Sequence, residues 1–244
     1  ELQNMVNKNL DFFFFYVASH GIEINDYNND ESNYNNPEIK YLNEGSNMDT
    51  AILTSEFNDR VSFLPDDKIR NFLAKMKNNT TILSVIDCCH SGTILDLQYL
   101  NVIRKNNKRN FIEDDSHRSF SYLRSKYKDK YTVIKGAYNK ESNLDIKALC
   151  ISGCRDGQSV YEKYMAGSIN GTFTFNLSKI LLNLHKSNML CKDNNDCYNI
   201  KDISLIVTGK INNYKQIPMI TSSFPIDIEN TYLISNSENN IPIF

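Results

Sequence analysis

Two apolar stretches of this chain run directly into clusters of reactive and small residues. Phe12 to Ala18 leads into Ser19-His20-Gly21, and Thr80 to Ile86 leads into Asp87-Cys88-Cys89-His90-Ser91-Gly92. A Cys nucleophile and a His acid/base brought together from neighbouring strand ends are the minimum for thiol-dependent acyl transfer. The small residues fit the same chemistry. Gly21 and Gly92 let a substrate backbone approach, and backbone N–H groups at Gly21 and Cys89 suit the stabilisation of an oxyanion. By residue type alone the signal is weak, because a Cys or His at a strand end is more often packing or hydrogen-bonded structure than catalysis.

The elements that must position these residues alternate between strand-like and helix-like, which favours an α/β sheet over a bundle or sandwich. Phe12 to Ala18 and Thr80 to Ile86 are continuous apolar runs suited to strands buried on both faces, and Ala148 to Ser152 is a third, turning at Gly153. Open α/β sheets carry their sites at the carboxyl edges of such strands. Asp66 and Asp67 precede an i, i+3, i+4, i+7 stripe of Ile69, Phe72, Leu73 and Met76, which reads as an amphipathic helix with carboxylates in its first turn. Gly171 to Leu184 and Ile203 to Ile211 read as further helices, and Glu1 to Leu10 as the tail of one. Gly21 to Asp49 is expected as a long polar loop, Ala51 to Thr54 as a short edge segment and Ile217 to Ile234 as a closing extended segment.

Composition narrows the functional classes. The chain has 244 residues, 41% of them hydrophobic and 23% charged, which is ordinary globular usage. Its net charge of -2 gives no global reason to bind nucleic acid or anionic lipid. The basic, Phe- and Tyr-containing stretch from Asn101 to Lys147 is interrupted by Glu113, Asp114 and Asp115, and is expected to be a solvated linker. No apolar run approaches the roughly 20 residues needed to span a bilayer, so no membrane partner and a cytoplasmic location are expected. The six cysteines are expected to be thiols, since neither Cys150 with Cys154 nor Cys191 with Cys197 has a zinc-knuckle spacing.

The ordered motifs carry a resemblance. FFFFYVASHG followed by ILSVIDCCHSGTILDL resembles the type I metacaspases, caspase-like cysteine peptidases with a strand-end His-Gly and an Asp-x-Cys-His-Ser-Gly box. MDTAILTSEF, DDKI, SGCRDGQ, GSINGTFTFNL and PMITSSFPID are similar, in order, to that family's acidic loop, helix start, Ser-Gly-x-x-Asp-x-Gln segment, Gly-containing helix start and closing strand. The resemblance implies a single α/β domain of caspase-like fold over residues 1–244, with a mostly parallel central sheet flanked by helices on both faces. Residues 1–100 would carry the His/Cys dyad, 101–147 the basic linker and 148–244 a small-subunit-like part. The family's first strand has no counterpart before Glu1, so the domain is expected to be N-terminally incomplete and its sheet to lack a central strand.

The resemblance also implies roles. His20 matches the general base and Cys89, the residue directly before His-Ser-Gly, matches the nucleophile, with Cys88 as buried filler and His90 as a structural neighbour. The implied reaction is endopeptidase cleavage after Arg or Lys, in a protein that is monomeric and possesses autoprocessing sites in its basic linker. Asp87 matches an acid of the substrate pocket, although a strand-end Asp capping backbone amides is the plainer reading. Ala18 stands where the family has a pocket serine, and Asp156 is expected to line the cleft. Activating, non-catalytic Ca²⁺ is implied by Asp49, Asp66, Asp67 and Asp96, which match four acidic ligands and offer the hard oxygens the ion takes. The variant Ala18-Ser19-His20-Gly21 sequence also motivates the alternative of a degenerate caspase-like domain that binds partners without turnover.

Overall fold

The computed structural model describes residues 10–26, 37–38, 48–55, 61–77, 79–106, 118–137, 144–190, 197–211 and 216–233. The order of its elements is β1 (Phe12–Ala18), β2 (Gly21–Asn25), β3 (Met48–Ser55), β4 (Val61–Pro65), α1 (Asp66–Leu73), β5 (Thr81–Asp87) and β6 (Tyr99–Lys105). After these come α2 (Phe120–Lys130), β7 (Tyr131–Ala137), β8 (Lys147–Ser152), β9 (Glu162–Met165), β10 (Ser168–Gly171), α3 (Thr172–Lys186), α4 (Ile200–Ile211) and β11 (Met219–Ser222).

A six-stranded sheet of order β1-β5-β8-β11-β6-β7 forms the centre. β1, β5 and β8 pair in parallel, while β11 runs against both β8 and β6, and β7 runs against β6. Four strands therefore point one way and two the other, which makes the sheet mixed but mostly parallel, in agreement with the sequence expectation. Alternation along the strands divides the core. Ile82 and Ile86 of β5 pack with Ile69 and Leu73 of α1, whereas Val85 joins Leu149 and Ile151 of β8 against Leu123 of α2, Phe173, Leu177 and Ile180 of α3 and Ile203 and Ile206 of α4. Helices thus cover both faces.

Several local expectations change. Among the described residues pairing is continuous from β1 to β7, the strand bearing His20 pairing directly with the strand bearing Cys89. Gly21 to Asp49 begins and ends in strand. β2 pairs with β3 and β3 with β4 in a separate antiparallel sheet, and Met48–Ser55 is its middle strand rather than a short edge segment. Most of the expected linker over 101–147 is ordered structure: β6 continues to Lys105, and α2 and β7 occupy Phe120–Ala137. α2 has a sequence-local stop and start, with Ser119 accepting from the Tyr122 N–H at its N-cap and Lys128 and Lys130 in its last turn. The closing segment is strand only over β11, followed by bends and turns through Ser223–Leu233. The helix tail at 1–9, the Glu113-Asp114-Asp115 interruption and Cys191 lie outside the described residues.

Candidate active site

The parallel pairing of β1 with β5 sets the heights of the two chemical clusters. Ala18 is the register partner of Asp87, so the two residues that follow on each chain bring His20 and Cys89 to the same edge of the sheet. The chains leave this edge in contact. The Ser19 N–H donates to the Asp87 carbonyl at 3.3 Å, and the His20 carbonyl accepts from the Leu53 N–H at 2.9 Å, which turns the chain after His20 onto β3. Gly21 then presses on the cysteine turn so closely that a Cβ there would stand 1.8 Å from the Cys89 carbonyl oxygen. Only glycine fits that contact.

Exposure separates the cysteines. Of the five described, Cys89 is partly exposed, while Cys88, Cys150, Cys154 and Cys197 are buried. Burial pushes the Cys150 and Cys154 thiols up to about 12 and raises Cys88 as well, so these three stay protonated and unreactive at neutral pH. His20 is exposed on the same rim as Cys89. His90 turns away from it. At φ 54° its backbone is left-handed; its N–H donates to the Gln158 carbonyl at 3.0 Å, its Nδ1 hydrogen-bonds the Asp156 carbonyl, and Glu23 lies 3.6 Å away. His90 therefore fastens the cysteine turn to the loop after β8.

Asp87 is 3% exposed, and its two oxygens have different surroundings. Oδ2 accepts from the Thr174 N–H at 3.0 Å and from the Thr174 hydroxyl at 2.7 Å, capping the first turn of α3 from another strand. Oδ1 accepts no hydrogen bond among the described residues. The carboxylate packs against two glycines: a Cβ on Gly153 would stand 3.0 Å from Oδ1, and one on Gly171 2.2 Å from Oδ2, so neither position has room for a side chain. Burial raises the Asp87 carboxyl, the two Thr174 bonds oppose the rise, and the Glu162 charge adds to it. Gln216 ties the two glycine segments together. It accepts from the Thr172 hydroxyl at 2.9 Å and donates to the Gly153 carbonyl at 2.9 Å. Neither Thr174 nor Gln216 was singled out from sequence, since each acts through partners distant along the chain.

Asp156 is 4% exposed, and its carboxylate accepts from the Thr93 N–H at 2.8 Å and the Thr93 hydroxyl at 2.9 Å. It braces the turn after Cys89 from beneath, and the close approach of Gly92 to its Oδ1 completes the brace. Ala18 is exposed at the end of β1. The four other acids lie away from the strand ends, around the start of α1. Asp66 Oδ2 accepts from the Thr50 N–H at 2.7 Å and the Thr50 hydroxyl at 2.8 Å. Burial, and then the charge of Asp96, push the Asp66 carboxyl up to about 7. Asp49 and Asp96 are buried too, and Asp67 flanks Asp66. Among the described residues no group of three or more His, Cys, Asp or Glu side chains is gathered closely enough to hold a metal ion.

A family model described as the caspase domain matches residues 1–227. The chain belongs to the caspase-domain family. Among curated proteins it is 25% identical over 239 residues to Metacaspase-1 of Candida albicans and 22% identical over 239 residues to Metacaspase-1 of Lodderomyces elongisporus, in each case over 89% of this chain and 49% of that protein. Metacaspase-3 of Arabidopsis thaliana is 25% identical over 174 residues, 71% of this chain and 39% of that protein. The chain thus spans about half the length of the curated relatives it first matches, and the metacaspase resemblance read from its motifs holds. Among solved structures, a protein from Geobacter sulfurreducens, GSU0716, superposes with a TM-score of 0.49 at 18% identity, covering 100% of this chain and 78% of that one. No helix among the described residues is long and apolar enough to cross a membrane.

Proposed function

We propose that this caspase-family chain is a cysteine endopeptidase domain cleaving after Arg or Lys. The observation that carries the reading is the partly exposed Cys89 at the same sheet edge as His20, with the buried Asp87, one oxygen of which accepts no hydrogen bond among the described residues, at the end of the same strand; a slot beside Asp87 is proposed for the substrate's cationic side chain. His20 takes the Cys89 proton, and the thiolate attacks the scissile carbonyl, whose electrons move onto oxygen. Backbone N–H groups at Gly21 and Cys89 serve that oxyanion. Collapse of the intermediate breaks the C–N bond as His20 returns the proton to the leaving amine, and water then hydrolyses the thioester with His20 again as base. A cationic side chain in the slot places a donor against Asp87 Oδ1 and compensates a buried carboxylate.

Calcium is proposed as an activator and not as a reactant. The hard oxygens of Asp66 and Asp96 suit it, and a cation beside them would offset the burial and the Asp96 charge that push the Asp66 carboxyl up to about 7; Asp49 and Asp67 belong to the proposed set only if their side chains move to converge on the ion, since among the described residues no three acids are gathered. An ion held there would be coupled to the site by Asp96, whose N–H donates to the Thr93 carbonyl at 2.6 Å, in the same turn that Asp156 braces. Autoprocessing after Arg or Lys is disfavoured at Arg104, Lys105, Arg124, Lys126, Lys128, Lys130 and Lys135, which belong to β6, α2 and β7.

Peptide amides ending in Arg, Lys and Asp, with and without Ca²⁺, test the proposal alongside Cys89→Ala and His20→Ala. Arg or Lys cleavage abolished by either substitution supports it. Turnover that survives Cys89→Ala, or cleavage only after Asp, refutes the mechanism. A folded protein that binds the Arg peptide without cleaving it identifies the degenerate, binding-only domain.

A further inference from the structure

The end of β5 is held one carbonyl at a time, on alternating sides, as the carbonyls of an extended chain point. The Ile86 carbonyl accepts from the Gly153 N–H at 2.7 Å on the β8 side, and the Asp87 carbonyl from the Ser19 N–H at 3.3 Å on the β1 side. The Cys88 carbonyl comes next and turns to the β8 side again, where the chain has already left the ladder at Gly153. No backbone N–H meets it among the described residues. A side chain does: Cys154 Sγ stands 3.3 Å from the Cys88 oxygen. The same thiol lies 3.4 Å from the Gln158 carbonyl and 3.7 Å from the Ser91 hydroxyl. Its single hydrogen has both carbonyls in reach, and that of Gln158 is already supplied by the His90 N–H at 3.0 Å. Cys154 is fully buried, and burial pushes its thiol up to about 12, so the hydrogen is present throughout the neutral range.

We infer that Cys154 is a positioning residue: by donating to the Cys88 carbonyl it orients the Cys88–Cys89 peptide so that the Cys89 N–H points at the oxyanion of the proposed reaction. The inference rests on the cysteine-peptidase reading and names what aims one of its two oxyanion donors. A trans peptide is planar, with its C=O and N–H on opposite edges. With the carbonyl tied to the β8 side, the N–H leaves on the β1 side, towards the chain that bears His20 and Gly21. The Gly21 contact agrees, since a Cβ there would stand 3.2 Å from the Cys89 nitrogen. The Cys89 N–H donates to no backbone carbonyl among the described residues. A donor aimed before the substrate arrives needs no reorganisation as charge develops, and a hydrogen bond at the carbonyl end of the peptide polarises the N–H at its other end.

The experiment measures capture of short peptide aldehydes ending in argininal, lysinal or aspartal by the full chain. The Cys89 thiol adds across the aldehyde: the S–C bond forms, the C=O π pair moves to oxygen and the thiol proton joins it, with that oxygen where the oxyanion would be. Alkylation of Cys89 by iodoacetamide runs in parallel and forms no oxyanion. Cys154→Ala is expected to weaken capture about tenfold, less than the roughly 100-fold or more of deleting an oxyanion donor, because the N–H is misaimed and not lost. On a cleaved peptide kcat should fall alike while KM stays within about twofold, and alkylation should not change. Cys154→Ser keeps a donor and should recover capture to within about threefold. Cys150→Ala, which removes a similarly buried thiol from β8, should lower the Tm comparably and leave capture unchanged. If Cys154→Ala does not fold, Cys154→Thr against Cys154→Val, alike in shape and different in the donor, decides: equal capture by the two overturns the inference. Capture unchanged in Cys154→Ala, alkylation that falls as far as capture, or an equal loss in Cys150→Ala also overturns it. A parent that captures none of the three aldehydes overturns it together with the peptidase reading. Capture that Cys154 controls, in a chain that cleaves no peptide, upholds the inference while the peptidase reading falls.

Discussion

Gly21→Ala tests the geometry that brings the dyad together. The added methyl would start 1.8 Å from the Cys89 carbonyl oxygen, with the Cys89 carbonyl carbon at 2.8 Å and its nitrogen at 3.2 Å. Real Cβ atoms essentially never approach within 3.0 Å of such an atom, so the two backbones must part by about 1.2 Å. Neither can yield alone. Gly21 is held in β2 by its pairing with Ile52, and the cysteine turn is held by the bond from the His90 N–H to Gln158. Overpacking of this kind costs about 1–3 kcal/mol of stability. The effect on chemistry should be larger, because a misplacement of about 1 Å costs on the order of 100-fold in rate. The assay is kcat on an Arg peptide, normalised to folded protein by thermal melting, with iodoacetamide alkylation of Cys89 measured in parallel. A variant that melts within a few degrees of the parent and keeps kcat within about threefold would refute the claim that Gly21 sets the separation of His20 and Cys89.

The raised carboxyl of Asp87 predicts an acid limb in kcat/KM for cationic substrates above the ordinary carboxylate value of 3.8; a pH profile whose limb lies at or below that value contradicts it. Stability has the opposite sign, since a proton favoured by the folded state contributes stability at acid pH that is lost as pH rises through the raised value. Thr174→Val removes one of two bonds to Asp87 Oδ2 and should cost about 1 kcal/mol, read by urea denaturation, while leaving the backbone bond in place. Asp96→Asn removes a charge that pushes Asp66 upward, at a left-handed position (φ 53°) that asparagine tolerates. It should raise the Tm in chelator, by the equivalent of about 1 kcal/mol, and shrink any Tm gain from Ca²⁺. A drop in chelator, or an undiminished Ca²⁺ response, counts against the pairing of Asp66 with Asp96.

The legible parts of this fold were those in which apolar side chains are consecutive. β1, β5 and β8 lie where continuous hydrophobic runs stand in the sequence; β5 and β8, inside the sheet, bury both faces, whereas β1, at the end of the described strand order, buries Phe13 and leaves Phe14 and Tyr16 exposed, contrary to the expectation of burial on both faces. α1 and α3 were legible from their 3.6-residue periodicity. β6, α2 and β7 were not: β6 buries Leu100 to Ile103 but ends in Arg104 and Lys105 and was read with the basic stretch that follows, while β7 buries Tyr131 and α2 buries Leu123 and Tyr127 among charged residues. β2 has an Ile-x-Ile alternation, but over five residues it cannot be told from a loop. The β9-β10 hairpin turns at Ala166 and Gly167, both at positive φ, and only the glycine advertises such a turn. In the site, His20 and Cys89 could be named because the motifs that contain them are local. Thr174 and Gln216 could not, since each becomes informative only through contacts across the fold, such as the 87 positions that separate Thr174 from Asp87.

Asp87 shows why the plain and the functional readings of a strand-end acid need not compete. A capping carboxylate is fixed by its cap: Thr174 takes Oδ2 with both a backbone and a hydroxyl donor, and α3 is in turn anchored in the core by Phe173, Leu177 and Ile180. That anchorage orients Oδ1. A carboxylate held only by its own strand would rotate to seek donors, whereas this one is fixed against the backbones of Gly153 and Gly171. The desolvation that raises Asp87 is the cost of that position, and the proposed cation would relieve it. The cap therefore does not weaken the case for a pocket acid, because pre-orientation of a buried acceptor is what a selective cation site requires. Such an arrangement also links stability to recognition: any change that loosens the start of α3 must loosen Asp87, even when it touches neither His20 nor Cys89.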